Sequence, residues 1–324
     1  MLLNAIRKLG HDHDSVFTLV EGPVSGAYFD GDAESLSECE ADVVEGSTLA
    51  PIRVTAARQS EFTDFLDGIQ RAEVKLYHQT VPIVYAYAAA TIRRRSERHM
   101  RTLRTDGADW LSEREALFYP SRYVDADQLR DAGAASNQLI DTTPPSSEPL
   151  PLFPPLLYAR AAQHVNRWRE SIERELAVRW CSSAQNGWLM VDGSLTLSPE
   201  VAACGRAIGL IKSHRTRFFD GDEARTVLNL DVGERSSVFE PRTRNLTPVR
   251  SFYLRLRPHD RRDIFWGLVR VEMARTHEIA LADVVSSWLL AETAPISLPD
   301  ARWDRLLYPI RDCEQFLRAR APQL

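Results

Sequence analysis

The segment from Tyr158 to Trp180 does most to limit how this 324-residue chain can fold. At 100° per residue, Val165, Trp168, Ile172, Leu176 and Trp180 fall on one stripe of a long amphipathic helix. Such a stripe has to be covered by an apolar surface, and strand-like runs lie on both sides of it in the chain. Within residues 15–60, SVFTLVEG, GAYFDGD and LAPIRVTAA read as short β segments separated by turns. EFTDFLDGIQRAEVKLYH reads as two β runs around Asp67-Gly68, a hairpin signal. VPIVYAYAAATIRRRSERHMRTL starts as a buried strand and continues into a basic helix, and residues 105–140 read as polar helix.

After the long helix, WLMVDGSL, RAIGLIKSH, VRSFYLRLRP and FWGLVRVEMAR read as strands. EARTVLNL, HEIALADVVSSWLLAE and WDRLLYPIRDCEQFLRAR read as helices, the last one closing the fold. Strands in groups with helices between them imply an α/β domain on a mixed sheet. Residues 141–158 carry six prolines and cannot continue a helix, so an extended insertion around 141–157 is expected within one domain. The expected division is a β-rich extension over 1–57 and a main domain over 58–324.

At 44% hydrophobic and 26% charged, the chain is too apolar for intrinsic disorder. Forty Lys and Arg against 45 Asp and Glu, a net charge of −5, exclude a uniformly basic nucleic-acid coat but leave room for a local basic channel. No apolar run approaches the ~18 residues of a membrane span, and MLLNAIRKLGHDHD turns polar too soon for a secretion signal. Cys39, Cys181, Cys204 and Cys313 are scattered with no C-x-x-C pair, which fits a reduced, cytoplasmic protein. Gly205 and Gly209 match neither phosphate-loop pattern, so ATP hydrolysis by this chain is not expected.

Two apolar runs end in Asp-Gly, at Asp67 and at Asp192. An acid at the end of a buried strand is held rigidly where sheet gives way to loop. Two such acids with a third from the helix make an all-oxygen set suited to Mg²⁺ or Mn²⁺. Glu173 and Glu175 each lie about 20° beyond opposite borders of the apolar stripe; Glu173 is the preferred donor, and Glu170 points to water. Lys212, followed by Ser213, His214, Arg215 and Arg217, forms a cluster able to hold a phosphate. Arg93, Arg94, Arg95 and Arg98, in the stretch 93–104, are candidates for contact with a nucleic-acid backbone. Tyr308 and Glu314, six apart on the last helix, are candidates to reach the same centre. His11-Asp12-His13-Asp14 has metal-binding residue types but a peripheral position. The Trp and Leu residues of 288–290 and the apolar parts of 15–55 are candidate partner contacts, with buried core the commoner fate.

In order along the chain, FLDGIQR, RWRESIEREL, LMVDGSL, AIGLIKSH, YLRL, GLVRVEM and WDRLLYPIRDCEQFL resemble the NurA nuclease family over roughly residues 60–320. The resemblance implies an RNase H-like (PIWI-related) core and Mn²⁺-dependent cleavage of DNA ends and single strands. It also implies a homodimer working with a hexameric HerA-type DNA translocase in end resection. Carried over residue by residue, the family's first-strand Asp is Asp67, its later-strand Asp is Asp192 and its helical Glu is Glu173. Its Tyr-Pro segment is Tyr308-Pro309, and the His that follows in archaeal members is replaced by Glu314. The expected function is therefore a Mn²⁺- or Mg²⁺-dependent deoxyribonuclease. That replacement motivates a second expectation, a non-catalytic adaptor on a motor ring. A nuclease of phage defence would share the same chemistry.

Overall fold

The structure is a computed structural model and describes residues 2–11, 16–19, 37–96, 99–105, 107–145, 147–242, 247–259, 262–293 and 307–322. Its frame is one large mixed sheet. The principal strands are β1 (Phe62–His78), β2 (Val81–Ser96), β3 (His99–Thr102), β4 (Leu111–Tyr119), β5 (Leu139–Asp141), β6 (Trp188–Asp192), β7 (Ala207–Ile211), β8 (Val249–Arg255) and β9 (Leu268–Ala274). Across the sheet they run β5-β4-β2-β1-β6-β7-β9-β8, and the short strands Glu234–Ser236 and Pro51–Arg53 extend the far edge. β2 is antiparallel to both β1 and β4, β6 is parallel to β1, and β7 is parallel to β6. β9 and β8 complete the row antiparallel.

The helices are α1 (Leu2–His11), α2 (Ala126–Asp131), α3 (Pro154–Cys181), α4 (Pro199–Ala202), α5 (Gly221–Leu228), α6 (Leu281–Ala291) and α7 (Tyr308–Arg320). Pro154 and Pro155 occupy the first turn of α3, where a missing N–H costs nothing. The proline-rich segment therefore ends by starting the helix. α3 buries Ile172, Leu176 and Trp180 against Leu66, Leu189 and Val191 on one face of the sheet. The opposite face is covered by α6 and α7, with Val285, Leu289, Ile310 and Cys313 packed on Phe65, Met190 and Val269. The α/β expectation on a mixed sheet holds. Among the described residues no helix is long and apolar enough to cross a membrane, and all four cysteines are free.

Three local expectations are corrected. β1 is one unbroken strand of 17 residues, so Asp67-Gly68 lies within it and the hairpin turn falls at Gln79-Thr80, where Gln79 has φ 55°. Pairing with β2 along nearly the whole length outweighs the turn preference of the dipeptide. The arginine run does not become a helix but continues β2 into a hairpin with β3. Acids on the packed elements take up its charges: Arg93 binds Asp312 of α7, Arg94 binds Asp64, and Arg95 binds Glu292 just past α6. Finally, the described residues of 105–140 hold strand β4, the short α2 and one 3₁₀ turn at Ser136–Gln138, because β4 adds to the sheet beside β2.

Asp64 ties these layers together. Fully buried, it accepts bonds from Arg94 Nε at 2.6 Å and Nη2 at 2.7 Å and from Trp180 Nε1 of α3 at 3.1 Å. Asp64→Ala removes the acceptor of the Trp180 indole N–H and leaves the Arg94 guanidinium on Gln185 Oε1, so unfolding in urea is expected to lose about 2 kcal/mol of stability. A loss below about 1 kcal/mol would mean that both donors find other partners.

Candidate active site

The site lies where β1 and β6 part. Their ladder ends with Met190 opposite Phe65 and Val191 opposite Leu66, so Asp192 and Asp67 follow side by side. One residue on, Gly68 lies beneath α3. A Cβ there would stand 2.2 Å from Glu173 Oε1, so the bare backbone is what admits the Glu173 carboxylate. Asp67 and Glu173 are both buried. Glu175, the alternative helical acid, points outward to Arg114 on the surface.

The three carboxylates act on one another. Burial pushes the Asp67 carboxyl well above the usual carboxylate range, the charge of Asp192 adds to this, and Glu173 adds further. Burial raises Glu173 to about 7, with Asp192 adding and Arg169 opposing. Each acid has a local counterweight. Arg169 bonds Glu173, Lys212 Nζ donates to Asp192 Oδ2 at 2.8 Å, and the Gly68 N–H donates to Asp67 Oδ1 at 2.8 Å.

Beside the acids opens a cleft of about 330 Å³, walled by Glu173, Asp192 and the cations Arg169, Arg174, Lys212 and Arg270. Beneath it, Glu272 of β9 is buried and accepts from Ser194 Oγ and from Leu195 N, each at 2.8 Å, and from Arg270. It thereby fixes both the turn after Asp192 and a cation of the cleft wall. Gly209 of β7 lets that turn lie flat, since a Cβ there would sit 2.7 Å from the Gly193 carbonyl oxygen. Arg169, Arg270 and Glu272 are missing from the sequence-derived set. The signal for the last two was their spacing: charges two apart in an apolar strand share one face.

The other candidates are placed as follows. Tyr308 opens α7 and is half exposed, with no hydrogen bond or ion pair to the three acids. Glu314 binds Arg318 one turn along. The α7 residue facing Asp67 is Cys313, whose thiol is pushed up by burial and by the Asp67 charge. Arg93, Arg94 and Arg95 serve the internal ion pairs given above, and Arg98 lies outside the described residues. Arg215 is half-buried, and Arg217 pairs with Glu38 and Asp220 at the surface. His11 ends α1, whereas Asp12, His13 and Asp14 lie outside the described residues. Trp288 and Leu289 are buried in the core.

The donor set is all oxygen and carries excess negative charge, which suits a hard divalent ion. In the present arrangement, however, the carboxylates are engaged by their protein partners. Among the described residues no group of three His, Cys, Asp or Glu side chains is set to hold a metal ion. The bonds given above take Asp192 Oδ2, Asp67 Oδ1 and Glu173 Oε1, one oxygen of each carboxylate.

No sequence-family profile matches the chain, and no curated protein matches it. Among solved structures the chain is similar to the NurA nuclease from Sulfolobus solfataricus, with 12% identity, 82% of each chain covered and a TM-score of 0.46.

Glu173 and Asp67 have raised folded-state values, so between about pH 4.5 and pH 7 the native state binds more protons than the unfolded chain. Without metal, stability is expected to fall as pH rises through this window, on the order of 2 kcal/mol, read from urea midpoints. Glu173→Gln should flatten the slope. Stability that rises with pH over the window would contradict the carboxylate cluster.

Proposed function

We propose that the chain is a metal-dependent deoxyribonuclease on an RNase H-like core, cutting phosphodiester bonds in the cleft beside Asp67, Glu173 and Asp192. The observation that carries this reading is the arrival of Asp67 and Asp192 side by side at the parting of two parallel strands, with Glu173 entering over Gly68. The strand order β4-β2-β1-β6-β7, with the first three antiparallel, the last two parallel to β1 and α3 between β4 and β6, supports the RNase H-like part.

Asp67, Glu173 and Asp192 would hold one or two Mn²⁺ or Mg²⁺ ions, which supply Lewis acidity and activation of the attacking water. The protein residues do the remaining work. Lys212 and Arg270 meet the phosphate charge from the cleft wall, and Arg169, once it leaves Glu173, turns to the same charge. Glu272 keeps the turn after Asp192 in place while this exchange happens. The resemblance to NurA nucleases extends the proposal to a homodimer that docks on a HerA-type ring ATPase.

Purified protein with Mn²⁺ is expected to degrade linear and single-stranded DNA, and Asp67→Asn or Asp192→Asn should each lower the rate at least about a hundredfold. Unchanged cleavage in both variants rejects the site. Gly68→Ala separates chemistry from folding. The added methyl displaces a flexible carboxylate rather than backbone, so stability should drop by only about 1 kcal/mol. Cleavage should fall as far as in Glu173→Gln, measured on the same substrate.

A second reading, a fold-retaining adaptor on a motor ring, is favoured by one observation: Arg169 and Lys212 already neutralise two of the three acids. Calorimetry with Mn²⁺ separates the two readings, because an adaptor with self-neutralised acids binds no ion while the nuclease binds one or two.

A further inference from the structure

A second cavity, of about 280 Å³, adjoins the acidic cleft and is lined by His214, Phe218, Phe219, Tyr253 and Phe265, with Arg217 beside them. The His214 ring stacks on Phe265 at 4.9 Å and 15° and is fixed by a contact of Nε2 with the Leu268 carbonyl at 3.0 Å. Tyr253 lies 6.2 Å from the His214 ring centroid, tilted by 34°. Phe265, one face of which carries the His214 ring, keeps 36% of its surface exposed beside the cavity.

The two cavities share a wall. Arg270 lines the acidic cleft, and its guanidinium sits over the Phe218 ring at 4.9 Å. Along the chain, Lys212 and Ser213 line the acidic cleft while His214, Thr216 and Arg217 line the aromatic cavity. Five residues span at most about 17 Å, a reach of a few nucleotides. A ligand filling both cavities therefore carries an anionic group at Lys212 and Arg270 and, close by, a flat ring system able to stack.

We propose that the aromatic cavity is a nucleobase subsite that takes the base of an unpaired nucleotide whose neighbouring phosphate enters the acidic cleft. The inference rests on the nuclease reading and deepens it by placing the base of a bound nucleotide in a named cavity beside the cleft. Stacking on aromatic rings accepts any base, because every base presents a π face, so the subsite selects strandedness rather than sequence. Bases stacked inside a duplex cannot enter without being pulled out of the helix. Lys212 and Arg270 line the adjoining cleft, while the cavity itself takes Arg217 together with Asp220, so the preference for a nucleotide is exerted on its phosphate rather than on its base.

The test uses the full chain with EDTA to stop cleavage and a single-stranded oligonucleotide carrying 2-aminopurine, whose fluorescence falls on stacking. Wild type should quench the probe on binding. Phe265→Ala should weaken single-strand affinity about tenfold, the loss of one stacking contact, and abolish the quenching. Phe265→Trp should restore both, and affinity for a blunt duplex should change less than about twofold. Phe265 is partly exposed, and thermal melting of each variant reports whether the fold is kept. Absence of quenching in wild type, or unchanged single-strand affinity in a folded Phe265→Ala, overturns the subsite. A parallel assay with Mn²⁺ tells the two failures apart: cleavage without quenching rejects the subsite alone, whereas no cleavage by wild type rejects the nuclease reading.

Discussion

Repulsion among three carboxylates is what the surrounding structure has to contain. Unit charges a few ångströms apart near a protein surface interact by several kcal/mol, comparable to a large share of a domain's net stability. The chain contains the repulsion with rigid neighbours. Apolar layers pack on both faces of the sheet, Arg169 and Lys212 stand against two of the acids, and Glu272 pins the turn that follows Asp192 through Ser194 and Leu195. Every one of these supports is itself buried or half-buried, so the geometry of the cluster is decided by packing rather than by solvent.

The same logic extends outward from β2. Its three consecutive arginines reach α7, the Asp64–Trp180 bridge to α3, and the end of α6. Neighbouring residues of a strand alternate between faces, so a run of like charge clamps helices on both sides of one sheet. Arg93 adds a stacking contact with Phe316 of α7, its guanidinium 4.4 Å from the ring. The basic density of this stretch is thus consumed internally, while the cations of the cleft wall come from α3, from the end of β7 and from β9.

What could be read in advance followed the range of the signal. The stripe on α3 and the apolar run before Asp192 are local patterns, and both elements appear where the pattern places them. Glu173 was preferred over Glu175, but the contact that sets it apart, the bare backbone at Gly68, lies over 100 residues away in the chain and periodicity cannot express it. The Asp-Gly at 67–68 misled because turn preference is local, whereas the pairing that overrides it comes from β2. The arginine run misled for a similar reason. Its partners Asp312 and Glu292 lie 219 and 197 residues downstream, so nothing nearby marks it as a strand. Glu272 was visible only as an oddity in an apolar strand, because two of its three acceptor contacts are formed with a turn 77 and 78 residues earlier.

The Arg93–Asp312 link has a bearing on how the protein is made. Pairs this far apart close late, after most loop entropy has been surrendered. During synthesis, β1 and β2 leave the ribosome long before α7 exists to cover Phe65 and Asp67. A nascent chain therefore carries Phe65 and Asp67 bare on one side until residues 308–320 emerge, so the strand face beneath α7 is the last part of the sheet to be covered.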